Sequence, residues 1–351
     1  MVRRTMAGWQ SVLVRLAAVA LALLLSSVLL VVLGRNPLEV YVAMLRGAFG
    51  TPYRIQEVVV KAIPLAVTSL GILIAFKMKF WNIGAEGQIL MGAFGASAVA
   101  YFVPLGWWTL PLMAVSGMVC GGLWAMIPAF FKARFKTNET LFTLMQNYIA
   151  LKWITYLQYG PWRDPNAKGF PTMPFFDDIA RLPKLFGVHV GWVVALVLAG
   201  LVYLFFARTK KGYEIAVIGE SERTGQYAGM NVGQVILLGV FFSGVLGGLT
   251  GMLQAAGVNH TLSVEITGNA GNTAIITAWL ANLNPAAVLV VCVLFSVLTQ
   301  GGEFIETAFA IPASAAQLLQ GLILFCVLGS QFFIQYKLVW ERRRLAKGAD
   351  V

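Results

Sequence analysis

The residues able to do chemistry in this chain are few, and they are polar rather than reactive. Asn82, Glu86 and Gln88 fall in Lys79–Gly95, "KFWNIGAEGQILMGAFG". Asn269, Asn272 and Thr273 fall in Ile266–Pro285, "ITGNAGNTAIITAWLANLNP". Gln146 and Asn147 lie inside an apolar run. Both segments set Gly and Asn just ahead of a short apolar stretch, the pattern of a chain that turns and then starts a helix. Glu86 is the sharpest of these residues. An ionisable group beside an apolar span is a functional candidate by default. At a helix start, the same carboxylate can instead cap free N–H groups and complement the helix dipole. Asn82 and Gln88 are open to that capping role too. Gln146, Asn147, Asn269, Asn272 and Thr273 are candidates to line a polar path, and equally candidates for interhelical hydrogen bonds.

Other chemistries lack their signatures. Cys120, Cys292 and Cys326 sit in apolar runs without metal-ligand spacing, which predicts inert buried thiols. His189 and His260 are far apart in sequence, so no metal site is expected. The dipeptide Gly-Lys does not occur, which excludes a Walker A phosphate loop. HExxH, GxSxG and paired-Cys motifs are missing as well. The expectation is a chain that is not an enzyme, with no catalytic residue and no cofactor of its own.

Composition names the elements that must hold these residues. The chain is 58% hydrophobic and 12% charged, against roughly 25% charged in a soluble domain. It cannot cover a water-facing surface, so the predicted fold is all-α, a polytopic membrane helical bundle in contact with the lipid bilayer. Apolar runs of the length a span needs, about 20 residues, suggest about ten crossings. They are Val12–Leu33, Val58–Phe76, Ile89–Val103, Leu110–Phe131, Leu141–Leu157, His189–Phe206, Val235–Ala256, Asn269–Ala281, Ala286–Gln300 and Ala313–Phe333. The first is longer than a signal-peptide core and lacks a small-residue cleavage site, so it is read as an uncleaved span. Three are short: Ile89–Val103, Asn269–Ala281 and Ala286–Gln300, the mark of broken or re-entrant segments.

Charge sets the expected orientation. With ten alternating spans and an N-terminus inside, 17 Lys and Arg fall on the inner side and 8 on the outer, with Lys152 inside a span. That bias predicts both termini in the cytoplasm. It explains the net charge of +11 without nucleic acid, which is not an expected partner. The chain then reads as a single transmembrane domain over 1–351. It has an extracytoplasmic loop at 158–188, with a possible cap helix at Asp177–Leu182, a polar cytoplasmic loop at 207–234 and a basic cytoplasmic tail at 337–351. Gly117 with Gly121, and Gly244, Gly247, Gly248 and Gly251, have the spacing of close helix packing. The two polar elbows follow long spans, one at a cytoplasmic end and the other at an external end. Two halves related by an inverted-topology repeat would show this.

Phe80–Ala96, "FWNIGAEGQILMGAFGA", resembles the "NIGAEGQ" signature of ABC-transporter permeases that import nucleosides and simple sugars, within the ribose and branched-chain amino-acid permease group. "RTKKGYEIAVIGESERTGQYAGMNV" looks like their cytoplasmic loop, with Arg208, Gly212, Gly219, Tyr227, Gly229 and Val232 fitting. Ser221 and Thr224-Gly225 depart from it, as Thr273 and Thr277-Ala278-Trp279 depart from the family's later segment. The similarity extends from Lys61 to Phe333.

The resemblance implies one permease of a dimeric pore, completed by a second copy or a related permease, in the cell membrane of a prokaryote. It implies cytosolic ABC ATPase subunits, which would carry ATP and Mg, and an extracytoplasmic substrate-binding protein or lipoprotein. Ser221–Gly229 would be a coupling helix seated on the ATPase. Gly219 and Gly229 would turn the chain at its ends, Glu220, Glu222 and Arg223 would offer charged contacts, and Gln226 and Tyr227 would lie on the helix. Few charges along the spans suit a neutral polar solute such as a nucleoside or sugar. The alternative is a secondary transporter driven by an ion gradient. Broken helices suit it, but the scarcity of mid-span acids speaks against it.

Overall fold

Small residues decide where the helices of this chain touch. The computed structural model describes residues 2–3, 8–103 and 106–337. Its helices are α1 (Gly8–Val32), α2 (Pro37–Phe49), α3 (Pro52–Lys77), α4 (Ala85–Phe102), α5 (Thr109–Phe135), α6 (Glu139–Tyr159) and α7 (Gly191–Arg208). They continue as α8 (Lys210–Glu220), α9 (Glu222–Tyr227), α10 (Val232–Gln254), α11 (Ala270–Leu280), α12 (Pro285–Phe309) and α13 (Ala313–Gln335). Each of the expected spans falls on a helix. Seven described helices are long and apolar enough to cross a membrane. α4, α6 and α11 fall short of that mark, α11 through its length of 11 residues. The tail expected at 337–351 lies, beyond Lys337, outside the described residues.

Residues 48–300 form one compact unit. At its centre α3 and α10 run antiparallel. Thr68 donates to Thr250 at 3.0 Å, Gly71 lies against the Ser243 carbonyl, and Gly239 meets Met78. α4 runs parallel to α10, with Gln88 against Gly247, Gly92 against Gly248 and Ala93 against Gly251. α11 runs parallel to α3. Ser69 Oγ donates to the Ala274 carbonyl at 3.3 Å and lies 2.5 Å from Thr277 Oγ1, and Phe76 meets Trp279 at 5.9 Å. Each long helix thus packs parallel to the short helix that follows the other long helix. α5 seals the back: Gly117 and Gly121 press on Gly248 and Gly244. In lipid no hydrophobic force draws helices together, so close backbone approach must supply the attraction. A Cβ on Gly248 would overlap the Gly117 carbonyl.

Residues 1–47 and 301–351 form a second unit. In it α1 lies along α13. Tyr41 donates to the Leu23 carbonyl at 2.7 Å, and Arg35 Nη2 donates to the Phe309 carbonyl at 2.6 Å. The sequence reading had residues 34–57 as a loop. α2 stands there instead, started by Asn36, whose side chain accepts from Leu38 N at 3.1 Å.

The loop expected at 158–188 begins later, because α6 runs through Tyr159. Its expected helix is only a single 3-10 turn at Asp178–Ala180. The loop packs as a cap. Met173 and Phe176 are buried, Phe176 N donates to the His260 carbonyl at 2.8 Å and Leu182 N to the Ala256 carbonyl at 2.9 Å. His189, just ahead of α7, is buried with its ring against Gly191 and Gly257. Burial, with His260 and Lys184 nearby, lowers its pKa from 6.5 to about 4.

Two outcomes are expected. Gly248→Val should wedge α5 from α10 and lower the thermal midpoint of the detergent-solubilised protein, a loss of about 2 kcal/mol or more by the overpacking precedent. For His189 the folded pKa lies below the unfolded value, so protonation favours unfolding. Stability is whole above the unfolded pKa of 6.5 and falls as pH drops from there towards 4. Between pH 7 and 5 the loss should be about 2 kcal/mol. Thermal scans should show it, and His189→Gln should flatten the pH dependence.

Candidate functional site

The first elbow starts where α3 ends. Lys79 adopts a left-handed backbone, φ 58°, and the chain turns into the segment before α4. Asn82 is fully buried there. Its Oδ1 accepts from Gly84 N and from Gln88 Nε2, both at 3.0 Å, and its Nδ2 donates to Ser243 Oγ at 3.1 Å. Asn147, on α6, clamps the same loop from the other side. Its Nδ2 donates to the Ile83 carbonyl and its Oδ1 accepts from Gly87 N, both at 2.9 Å. Thr143 Oγ1 takes Ile83 N at 3.3 Å, and Gln146 Nε2 donates to the Trp124 carbonyl at 2.7 Å. The polar side chains here answer backbone groups that a broken helix leaves open, which the membrane interior demands.

The second elbow comes to the same place. After α10 the helix loosens into one π turn at Ala255–Asn259, and His260 turns left-handed at φ 53°. The chain then runs back in irregular form to Gly268 and Asn269, both at positive φ, where α11 begins. The sequence reading set the two elbows at opposite faces. They meet, because this return covers its distance before its helix starts. Gly271 is so close that a Cβ would sit 2.5 Å from Glu86 N.

α4 and α11 therefore begin head to head, each presenting unpaired N–H groups and the positive end of its dipole. Glu86 stands between them. It lies in the first turn of α4, and its Oε1 accepts from Asn272 N at 3.2 Å. The Asn269 side chain makes no cap bond to the backbone of α11; its Oδ1 accepts instead from Asn272 Nδ2 at 2.7 Å. Glu86 is thus a cap, but for the other elbow's helix as well as its own. Asn269 and Asn272 are exposed, while Glu86 and Thr273 are partly so. Beside them Trp81 stacks on Trp279 at 5.6 Å.

A second group of predicted residues lies together further along. α8 is anchored by buried Ile215 and Ile218. Gly219 is inside α8, where a Cβ would collide with the Lys77 carbonyl; it is a contact glycine and not the turn expected of it. Glu220 closes α8, and its carbonyl accepts from Lys79 Nζ at 3.4 Å. Ser221 caps α9, its Oγ accepting from Thr224 N at 3.3 Å. Gly229 does turn the chain, at φ 74°. Between them Glu222, Arg223, Gln226 and Tyr227 are exposed, Tyr227 at 92%, while Gly225 is buried beneath. The residues missed from sequence are Thr143, Ser243, Ser69 and Thr277. Only Thr143, one turn before Asn147, carries a readable signal.

Comparison with known proteins agrees with this layout. The family model described as branched-chain amino acid transport system / permease component matches residues 54–328. The chain is 31% identical to the glucose ABC transporter permease protein TsgB13 of Haloferax volcanii, over 99% of this chain and 96% of that one. It is 29% identical to the guanosine ABC transporter permease protein NupP of Bacillus subtilis, over 91% of this chain and 93% of that one. It is 26% identical to the nucleoside ABC transporter permease protein NupB of Lactococcus lactis, over 91% of each.

Glu86→Gln keeps an acceptor for Asn272 N but removes the charge between two positive helix ends. It should lower stability by about 1–2 kcal/mol, and Glu86→Ala by more. Thermal unfolding of the purified chain ranks them, and an unchanged midpoint in both would refute the junction.

Proposed function

Because the chain belongs to the branched-chain amino acid transport system permease component family, we propose that it forms the membrane path of an importer driven by separate cytosolic ATPase subunits. The chain itself is a multi-pass membrane permease. In this reading it crosses the bilayer ten times with both termini inside, the eighth crossing made of the irregular return 260–269 and α11. The parallel packing of α4 on α10 and α11 on α3 supports an inverted repeat. Relatives named for guanosine, nucleosides and glucose, together with the few charges along the helices, support a neutral polar solute, a nucleoside or a simple sugar. An extracytoplasmic binding protein would deliver it to a pore of two permeases.

One observation carries the coupling role: an exposed α9 stands on a buried α8 whose Gly219 touches Lys77 directly. In this reading α9 is the helix on which the ATPase presses. Force on α9 passes through α8 to Lys77 and Lys79, and these lead straight into the elbow that holds Glu86. A rigid chain of contacts with two arrangements is what such coupling needs. ATP and Mg would be bound by the ATPase, not by this chain.

Gln226→Pro should break α9 and abolish co-purification with the ATPase while leaving the amount of inserted permease unchanged. Tyr227→Ala should weaken the association by about tenfold, the scale of an exposed aromatic anchor. Full ATPase recovery with the proline variant would remove α9 from the coupling role.

A further inference from the structure

α6 is long enough to cross a bilayer, at 21 residues, yet it is not among the seven described helices apolar enough to do so. Its inner side is accounted for: Thr143, Gln146, Ala150 and Ile154 are buried against the rest of its unit. The outer side is unusual. Tyr148, Lys152 and Tyr156 stand one turn apart in a row, and with Ile149 and Trp153 they line a shallow depression of ≈ 590 Å³. Tyr148 and Tyr156 are 58% and 61% exposed. Lys152 is exposed and makes no hydrogen bond or ion pair with another described residue.

The outward face of α5 is the contrast. Val115, Val119, Leu123 and Ile127 repeat there at the same spacing with no side-chain polar atom, as a lipid contact requires. Lys152 also lies far from either end of its helix. Asn147 below it clamps the first elbow, and Gln158 above it donates to the Pro171 carbonyl of the cap at 2.8 Å. An ammonium group at that depth is costly against hydrocarbon and is stable only where water or a counter-charge reaches it.

We propose that the outer face of α6 lines an aqueous path, and that Lys152 is its charge filter. A fixed ammonium in a narrow path with low-dielectric walls raises the barrier to cations and admits uncharged or anionic polar solutes. The rings of Tyr148 and Tyr156 give a passing ring compound a flat surface, and their hydroxyls offer hydrogen bonds. A pore that refuses cations carries a neutral solute without discharging the membrane potential. The solute class rests on the importer reading above; the wet face does not.

The test needs no ATPase and no binding protein. In a chain with Cys120, Cys292 and Cys326 replaced by alanine, Tyr148→Cys, Lys152→Cys and Tyr156→Cys are compared with Leu123→Cys. Membranes are treated with membrane-impermeant methanethiosulfonates, one bearing a sulfonate and one a trimethylammonium group. The three α6 positions should react at least about tenfold faster than Leu123→Cys; equal rates would mean a dry face, against lipid or a second copy, and overturn the path. At Tyr156→Cys the sulfonate reagent should be favoured, and adding Lys152→Met should lower the anionic-to-cationic rate ratio by about tenfold. Lys152→Arg should keep that ratio, which separates lost charge from disturbed folding. A ratio unmoved by Lys152→Met would end the filter assignment. Because ATPase association is measured separately, failure here is distinct from failure of the importer reading.

Discussion

Two helix N-termini aimed at one another bring like partial charges together, and in a membrane no water softens the repulsion. The chain resolves this with one carboxylate. Glu86 belongs to the first turn of α4 and accepts from the backbone of α11, so it answers both positive ends at once. The buried amides around it have a matching duty. Asn82, Gln88 and Asn147 bond the loop that brings Glu86 to its place. Remove the meeting point and neither short helix has a reason to begin where it does.

That junction is possible only because the long helices lie unusually close. Gly244, Gly248 and Gly251 of α10 accept the backbones of α5 and α4, and hydroxyl pairs such as Thr68–Thr250 replace the hydrophobic force that lipid cannot supply. Packing between long and short helices is exchanged between the two halves, so the same contact type is used twice. Polar side chains thus do two kinds of work here: amides mend broken backbone, and hydroxyls join intact helices.

Much of this was legible from residue order. Apolar runs located the long helices, and small-residue spacing marked the α5 and α10 seam. The NIGAEG stretch announced a turn followed by a helix start, and Ser221 with Gly229 bracketed α9 correctly. Depth was not legible. Nothing in "HTLSVEITGN" states that the chain re-enters before coiling, because β-branched and polar residues suit an extended return as well as an external loop. The role of Gly219 was hidden for a related reason. Glycine at a turn and glycine under a neighbouring backbone are the same letter, and only the nearby Lys77 carbonyl distinguishes them. α2 escaped because its short amphipathic pattern, flanked by Pro and Gly, resembles a surface loop when helix length is the guide.

The two halves differ in one mechanical respect. A helix fixes the separation of its ends, whereas irregular chain sets only an upper limit on it, about 3.3–3.6 Å per residue. α4 is tied to α3 by a short elbow that Asn82, Thr143 and Asn147 hold on several sides. α11 is joined to α10 by the irregular stretch from His260 to Asn269, which can lengthen or gather without breaking a single i to i−4 bond. One half is moored and the other has play. Sliding of α11 along α3 is therefore the displacement this fold opposes least, with Glu86 as the stop at the end of its travel.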